Sequence, residues 1–431
     1  MAPGPVSKVS LTDGTPTGGP GTGPTMASGL RAAMPALILA VGTVGLGQSV
    51  LFMFLPLVSD HSGIDPAHLT FAMAVGTALF LVGAPRLGRA SDGIGRRPVL
   101  AAALGGYVAS SLLLAGAVAA AAHGLIGTGT CFALLLVSRI GYGLTVSGIH
   151  PVAQAWVADL TRPEDRMRRF AHLRAGASIG RVLGPALAAA TLAVHPFGPL
   201  LLLVLAPLPG ALLLGAGGRR AGTSDTVPAH SPAGSPAGSL ARLRWRDRRI
   251  AGFLVTGYVA HTAFGLILYT VGLFMQHRLD LSGEAAAGAL GVMMTGAAVL
   301  MGCVQAAIAR LGPPPRGLLV AGALTLAASS LGIALADGLA GFGVAVALTG
   351  AATALLLPAY VSSCSRAVAA DEQGAASGML SACHTLGYAT GALVGGVAFQ
   401  AAPVSPFLAA AVLALVVPAV GLPRMNEIAT R

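Results

Sequence analysis

Arg139 and Arg181 are the two basic side chains that fall inside the long apolar runs of this 431-residue sequence, and no Asp or Glu lies in the middle of any of those runs. His150, His261 and His384 sit in the same runs, with Tyr258 and Tyr388 at helical spacing from two of them. A cation in a low-dielectric span attracts an anion strongly, so arginines without acidic company point to cargo bearing a carboxylate or similar group. An imidazole, whose unperturbed pKa lies near 6.5, is the side chain there that can exchange a proton. Two plainer roles stay open: Arg139 as half of a structural ion pair, and each histidine as a hydrogen-bonded core residue. Catalysis by a metal or an acid–base pair has no residues to use. Cys131, Cys303, Cys364 and Cys383 are scattered without paired spacing, and no H-E-x-x-H string occurs. A membrane-embedded enzyme is therefore disfavoured, and no metal, cofactor or disulfide is expected.

The elements that hold these residues must cross a bilayer. Hydrophobic residues make up 55% of the chain and charged ones 10%, with a mean hydropathy of +0.78. A soluble domain carries roughly 25% charged residues, so this composition cannot cover a water-facing surface. Apolar runs of about 20 residues, enough for a ~30 Å hydrocarbon core, are expected near 33–57, 68–87, 98–120, 131–155, 171–194 and 197–216. They resume near 250–274, 285–309, 317–336, 339–361, 375–399 and 404–422. The pattern is an all-α polytopic protein of two six-helix halves (33–216 and 250–422) joined by a Pro/Ser/Gly-rich, then basic, linker at 217–249. Residues 1–32 are Gly, Pro, Ser and Thr rich and are expected to be disordered, and 423–431 form a short tail.

Charge sets the orientation. The net charge of +11 does not mark a nucleic-acid binder, because the basic residues lie between apolar spans rather than on a soluble face. With the N-terminus inside, 23 of the 26 Lys and Arg fall in cytoplasmic loops, linker and tails, and Arg278 alone falls in an external loop. Both termini are thus expected in the cytoplasm of a cell-membrane protein.

Three strings carry finer information. The second-to-third loop reads Gly88-Arg89-Ala90-Ser91-Asp92-Gly93-Ile94-Gly95-Arg96-Arg97-Pro98. Gly95 permits a positive φ in a tight turn, Arg96 and Arg97 hold the loop inside, and Asp92 is an acceptor at a helix end. The fourth span has Arg139 and Gly143, then Pro151, Gln154, Asp159, Pro163 and Arg166. On a continuous helix Arg139, Gly143, Val146 and His150 share a face, the two ends about 16 Å apart. The fifth span has Gly176, Gly180, Gly184 and Pro185, a small-residue face followed by a proline kink, which plain helix packing also explains. In the eleventh span Ser377, Ser381, His384 and Tyr388 form a polar stripe.

These strings resemble the signatures of the major facilitator superfamily: G-x-x-x-D-R-x-G-R-R in the loop, with Gly93 in place of Arg; R-x-x-x-G and P-x-x-Q-A in the fourth span; and G-x-x-x-G-P in the fifth, a mark of its drug:proton antiporter branch. Arg181 and the pair Ala188 and Ala189 depart from the last pattern, and Arg310 to Arg316 is a faint second-half echo without an Asp. The resemblance implies a twelve-helix fold with a cavity opening alternately to each side, spans one, four, seven and ten nearest it, and spans two, five, eight and eleven at the interface of the halves. It implies that Gly88, Asp92, Gly95, Arg96 and Arg97 form a conformational latch, with Asp92 facing the start of the eleventh helix near Gly374. The expected function is proton-coupled efflux of a small organic molecule by a monomer, the arginines favouring an anionic one. Uptake of an anionic nutrient is the alternative.

Overall fold

The computed structural model describes residues 24–220, 243–369 and 372–429. Most of the expected N-terminal tail, the Pro/Ser-rich part of the linker and the last residues of the C-terminal tail lie outside the described residues. What is described is helical throughout, with no strand among the described residues.

Twelve spans cross the molecule. The first half contains Pro24–Ser62, then Pro66–Ala78 continued by Phe80–Ile94, Arg96–Ala122, Thr128–Val146 continued by Ile149–Asp159, Pro163–Val194, and Gly198–Leu205 continued by Leu208–Arg220. The second half contains Ala251–Leu279, Gly283–Leu311, Pro315–Leu335, Leu339–Arg366, Gln373–Ala401 and Ser405–Ala429. Eleven of these are apolar enough to cross a membrane by composition. The eleventh span, Gln373–Ala401, has the length at 29 residues but carries the polar stripe, which faces protein and cavity rather than lipid.

The helices outrun the apolar runs. The first begins at Pro24, inside the stretch expected to be disordered, the fifth begins at Pro163, and the twelfth reaches Ala429. Hydropathy reports the hydrocarbon thickness, whereas backbone hydrogen bonding continues a helix into the headgroup region at no cost in unsatisfied groups. The second and fourth spans are interrupted at Leu79 and at Ser147–Gly148, all three residues staying in the right-handed helical region. The two spans lie side by side, and a Cβ at Gly83 would press on the Leu144 carbonyl and the Ser147 hydroxyl.

The halves meet at the Arg-poor end. There Pro56 of the first span lies against Gly272 of the seventh, Met53 against Gly291 of the eighth, and Thr70 of the second against Gly396 of the eleventh. Asp60 Oδ2 accepts a hydrogen bond from the Gly283 N–H, 2.9 Å away, at the first turn of the eighth span. A carboxylate is favoured at a helix N-terminus, so this contact ties the halves electrostatically as well as sterically. Toward the Arg-rich end the eleventh span leaves the second, packing along Pro66–Ala78 and hardly touching Phe80–Ile94. Gly88, Gly93, Gly374 and Gly378 have open space beside them. The molecule is closed at one end and parted at the other, with spans two and eleven, and five and eight, at the interface.

Candidate functional site

The first-half wall is built around Arg139, 3% exposed in the fourth span. Its Nη2 donates to the Ser138 hydroxyl at 3.0 Å, and its guanidinium carbon lies 5.0 Å from the Tyr142 ring centroid. Nε is buried and has no partner among the described residues. No carboxylate among the described residues pairs with Arg139, so the ion-pair alternative finds no partner there. A cationic side chain at mid-membrane costs about 2.5–3.5 kcal/mol on insertion scales, and a buried donor left without an acceptor adds to that. Tyr142 supplies a ring face, and Tyr107, which donates to the Thr43 carbonyl at 3.2 Å, lies edge-on to Tyr142. These contacts soften the cost without neutralising the charge.

Arg181 is exposed on the fifth span, its stem against Gly45. Its charge reaches His150 in the fourth span and Tyr388 in the eleventh, which places it at the space between the halves. Ser147 and Gly148 interrupt the fourth span while both stay in the right-handed helical region, and Arg181 of the fifth span lies within electrostatic range of His150. His150 has no hydrogen-bond partner among the described residues.

Gly180 and Gly184 let the fifth span touch the first. A Cβ at Gly180 would enter the Gly42 carbonyl, and one at Gly184 would come within 3.0 Å of the Leu46 carbonyl. Pro185 lies inside the helix and its carbonyl faces Gly291 of the eighth span. The glycines of this string pack against the first span, and Arg181 within it is exposed.

The second-half wall is imidazole and phenol. His261 and His384, from the seventh and eleventh spans, stack with ring centroids 3.8 Å apart and an interplanar angle of 8°. His261 Nδ1 is 2.9 Å from the Gly257 carbonyl, and Tyr388 meets the His261 ring edge-on at 4.9 Å. His384 Nε2 is 3.0 Å from the hydroxyl of Tyr360, a fully buried residue of the tenth span. Tyr258 donates to the Thr390 hydroxyl at 3.2 Å. Two imidazolium rings at this spacing would repel by about 4 kcal/mol at an effective dielectric near 20. Tyr360 was missing from the sequence reading because it lies in an otherwise apolar stretch ending in Pro358-Ala359-Tyr360. Tyr269 closes the cavity at the Arg-poor side, its hydroxyl 3.2 Å from that of Thr77 across the halves.

The loop residues fall at the Arg-rich end. Gly95 has φ 106°, the conformation its type was expected to allow. Arg96 bonds Asp92 and also Asp159 at 2.8 Å, while Arg97 donates to the Leu214 carbonyl at 2.6 Å near the end of the sixth span. Gly88 is free of close neighbours. Asp92 therefore pairs within its own half and not with the eleventh helix. Its cation is Arg96, at the first residue of the third span across the turn at Gly95. The start of the eleventh span is held instead by Glu372, whose carboxylate accepts from Arg249 at 2.8 and 2.9 Å and from the Ala369 N–H at 3.1 Å. Arg249 also grips Asp247. Hydrogen bonds from Arg249 hold both carboxyls below the usual carboxylate range.

A family model described as Major Facilitator Superfamily matches residues 37–348. The chain is 31% identical over 156 residues to the class C tetracycline resistance protein of Escherichia coli, a stretch covering 35% of this chain and 36% of that protein. It is 28% identical over 163 residues to the triacylglyceride transporter Rv1410c of Mycobacterium tuberculosis, covering 37% of this chain and 30% of that one. The chain thus matches about a third of the length of these relatives. Among solved structures, the human organic anion transporter MFSD10 (TETRAN) superposes with a TM-score of 0.61 at 20% identity, covering 90% of this chain and 99% of that one. A bacterial homologue of the iron transporter ferroportin in an inward-facing state superposes at 0.68 with 14% identity, covering 93% and 99%. The chain belongs to the major facilitator superfamily and has its fold.

Proposed function

We propose that this member of the major facilitator superfamily is a proton-coupled exporter of a small organic anion, working by alternating access. The observation that carries the reading is Arg139, a buried guanidinium whose Nε has no partner and which meets no carboxylate among the described residues, with a second cation, Arg181, within the spans of the same half. A fixed charge left unpaired by the protein is one that a ligand can pair. The tetracycline resistance relative favours export, and the organic anion transporter among the fold's neighbours is in keeping with anionic cargo. The Arg-rich end is taken as cytoplasmic, so the conformation described above is open inward and the Asp60–Gly283 contact closes the outside. Spans one, four, five, seven, ten and eleven contribute to the binding space. The protein acts as a monomer in the cell membrane, with both termini inside.

The loop of Gly88, Asp92, Gly95, Arg96 and Arg97 acts as the latch of the opposite state. On outward opening the Arg-rich ends close, and Asp92 exchanges Arg96 for the start of the eleventh span. Asp92→Asn then lowers turnover at equal membrane abundance; an unchanged rate would leave the loop as a topological signal only.

A second reading is uptake, and one feature favours it. A proton bound near Arg139 and Arg181 adds positive charge to the same cavity, so proton and anion strengthen each other's binding, the coupling expected of movement in one direction. Everted vesicles containing the protein decide between them. With a panel of anionic and cationic dyes, export predicts accumulation of anions driven by an acidic vesicle interior, and uptake predicts their expulsion. Transport confined to cations would overturn the anion reading. A reporter after Arg431 should be cytoplasmic and one at Ser282 external; the reverse would invert the orientation.

A further inference from the structure

We propose that the stacked rings of His261 and His384 form one proton-binding site that takes up a single proton between them, with Tyr360 hydrogen-bonded to it in both charge states, and that this pair carries the coupling proton. The inference rests on the proton-coupled reading above and names the site within it.

The geometry supplies the parts. A carbonyl only accepts, so the 2.9 Å contact with Gly257 places the N–H of His261 on Nδ1 and leaves Nε2 as the available base. The Tyr360 hydroxyl can donate to His384 Nε2 when that ring is neutral and accept from it when the ring is charged, so it stays bonded in both states. One proton gives an imidazolium lying over the face of a neutral ring at 3.8 Å, a favourable arrangement of cation and π-system. A second would set two like charges at that distance, so the site saturates at one.

The surroundings fit a site that loads and empties. Tyr258 and His261 come from the seventh span, Tyr360 from the tenth, and Cys383, His384 and Tyr388 from the eleventh, with Cys383 and Tyr388 within electrostatic reach of Tyr360. From the first half, the charge of Arg181 reaches Tyr388. No carboxylate among the described residues acts on either ring, so nothing fixes the proton in place. Ser381 and Ser377 continue the His384 face, both exposed, giving a polar path toward the Arg-rich end in the conformation open there. The two rings come from separate spans, so a change in their charge acts on the packing of the seventh span against the eleventh. Gly257 packs beside the stack: a Cβ there would lie 3.1 Å from His384 Cδ2 and Nε2 and would push that ring slightly. His150, beside Arg181, has neither a hydrogen-bond partner nor a second ring.

The test is a pH titration of the full-length protein carrying 13C-labelled histidine, followed by NMR, with resonances identified through His261→Gln and His384→Gln. The expected result is that both rings shift over one common pH range with a combined uptake of one proton. Removing either ring should move the midpoint of the other by at least about one pH unit. Tyr360→Phe and Gly257→Ala, which keep both imidazoles, should move the shared midpoint by a smaller amount in folded protein. Two independent full titrations, or no titration of either ring between about pH 4 and 9, would overturn the site. Coupling is read in proteoliposomes loaded with the anionic dye that the wild type transports best. His384→Gln should lower gradient-driven accumulation at least tenfold more than it lowers exchange at equal pH on both sides; equal losses overturn the coupling role. A wild type that titrates as a pair yet ignores a pH gradient overturns the coupling and, separately, the proton-coupled reading.

Discussion

The two walls of the cavity solve opposite problems. The first-half wall holds a charge that cannot be switched off: Arg139 is buried, partly bonded through Ser138 and covered by Tyr142, and its Nε has no acceptor. The second-half wall holds no fixed charge but two rings that can gain one, His261 and His384, each already bonded through one nitrogen. A permanent cation is a recognition element, because its cost falls when an anion arrives. A neutral imidazole pair is a switch, because its charge depends on which face of the membrane it sees. On the function proposed above, this division would give cargo recognition to one half and energy coupling to the other, and it can be broken experimentally.

The largest effect is expected at the fixed charge. Arg139→Gln should weaken binding of a transported anion by roughly 30- to 100-fold, the range expected for losing a charge-assisted hydrogen bond of about 2–3 kcal/mol. Arg139→Lys should restore little, since an ammonium lacks the planar fork. Calorimetry on protein that still runs as a single folded species checks both, and undiminished affinity in Arg139→Gln would sink the division of labour.

A smaller effect is expected where the walls are tied together. Asp60→Asn keeps the acceptor to Gly283 but removes the charge from the helix N-terminus, a loss of about 1 kcal/mol. Labelling of a cysteine introduced near the Arg-poor end should rise about fivefold, because the closed state loses that much advantage. Arg181→Ala should cost less than Arg139→Gln, about three- to tenfold in anion affinity, since an exposed guanidinium is already screened by water. If Arg181→Ala proves as damaging as Arg139→Gln, the anion sits between the two cations and the fifth span belongs to the recognition wall.

The smallest effect concerns the anchor of the second wall. Asp247 and Glu372 have lowered pKa values because Arg249 bonds them, so their contribution is present above the ordinary carboxylate range and lost as pH falls through the lowered values. Cleavage of the segment around Arg248 by trypsin should therefore be slow near neutrality and rise below about pH 4, read with an acid-tolerant protease where trypsin fails. Glu372→Gln should show the fast rate at all pH values, with transport little changed.

The sequence made some of this legible and left the rest hidden for a definable reason. Arg139, His261 and His384 stand out because polar side chains are expensive in lipid, and cost is a local property that a single residue reveals. Gly95 was readable from its type and neighbours alone. Tyr360 was not, because a tyrosine in an apolar run is unremarkable until a partner is known.

What the chain determined by itself is everything that follows from transfer into a bilayer: the number of spans, their order in two halves, the end that gathers arginine, and the few polar residues admitted to the interior. These are sums over local free energies, and they need no knowledge of neighbours. The tertiary structure decided which of those residues touch. His261 and His384 are separated by more than a hundred residues and belong to different spans, yet stack at 3.8 Å. Asp92 found Arg96 because the halves are parted at its end, and Asp60 found the eighth helix because they are closed at the other. Contacts between spans depend on how rigid helices pack and on which end of the cavity is open, and neither is written in the hydropathy of any one segment.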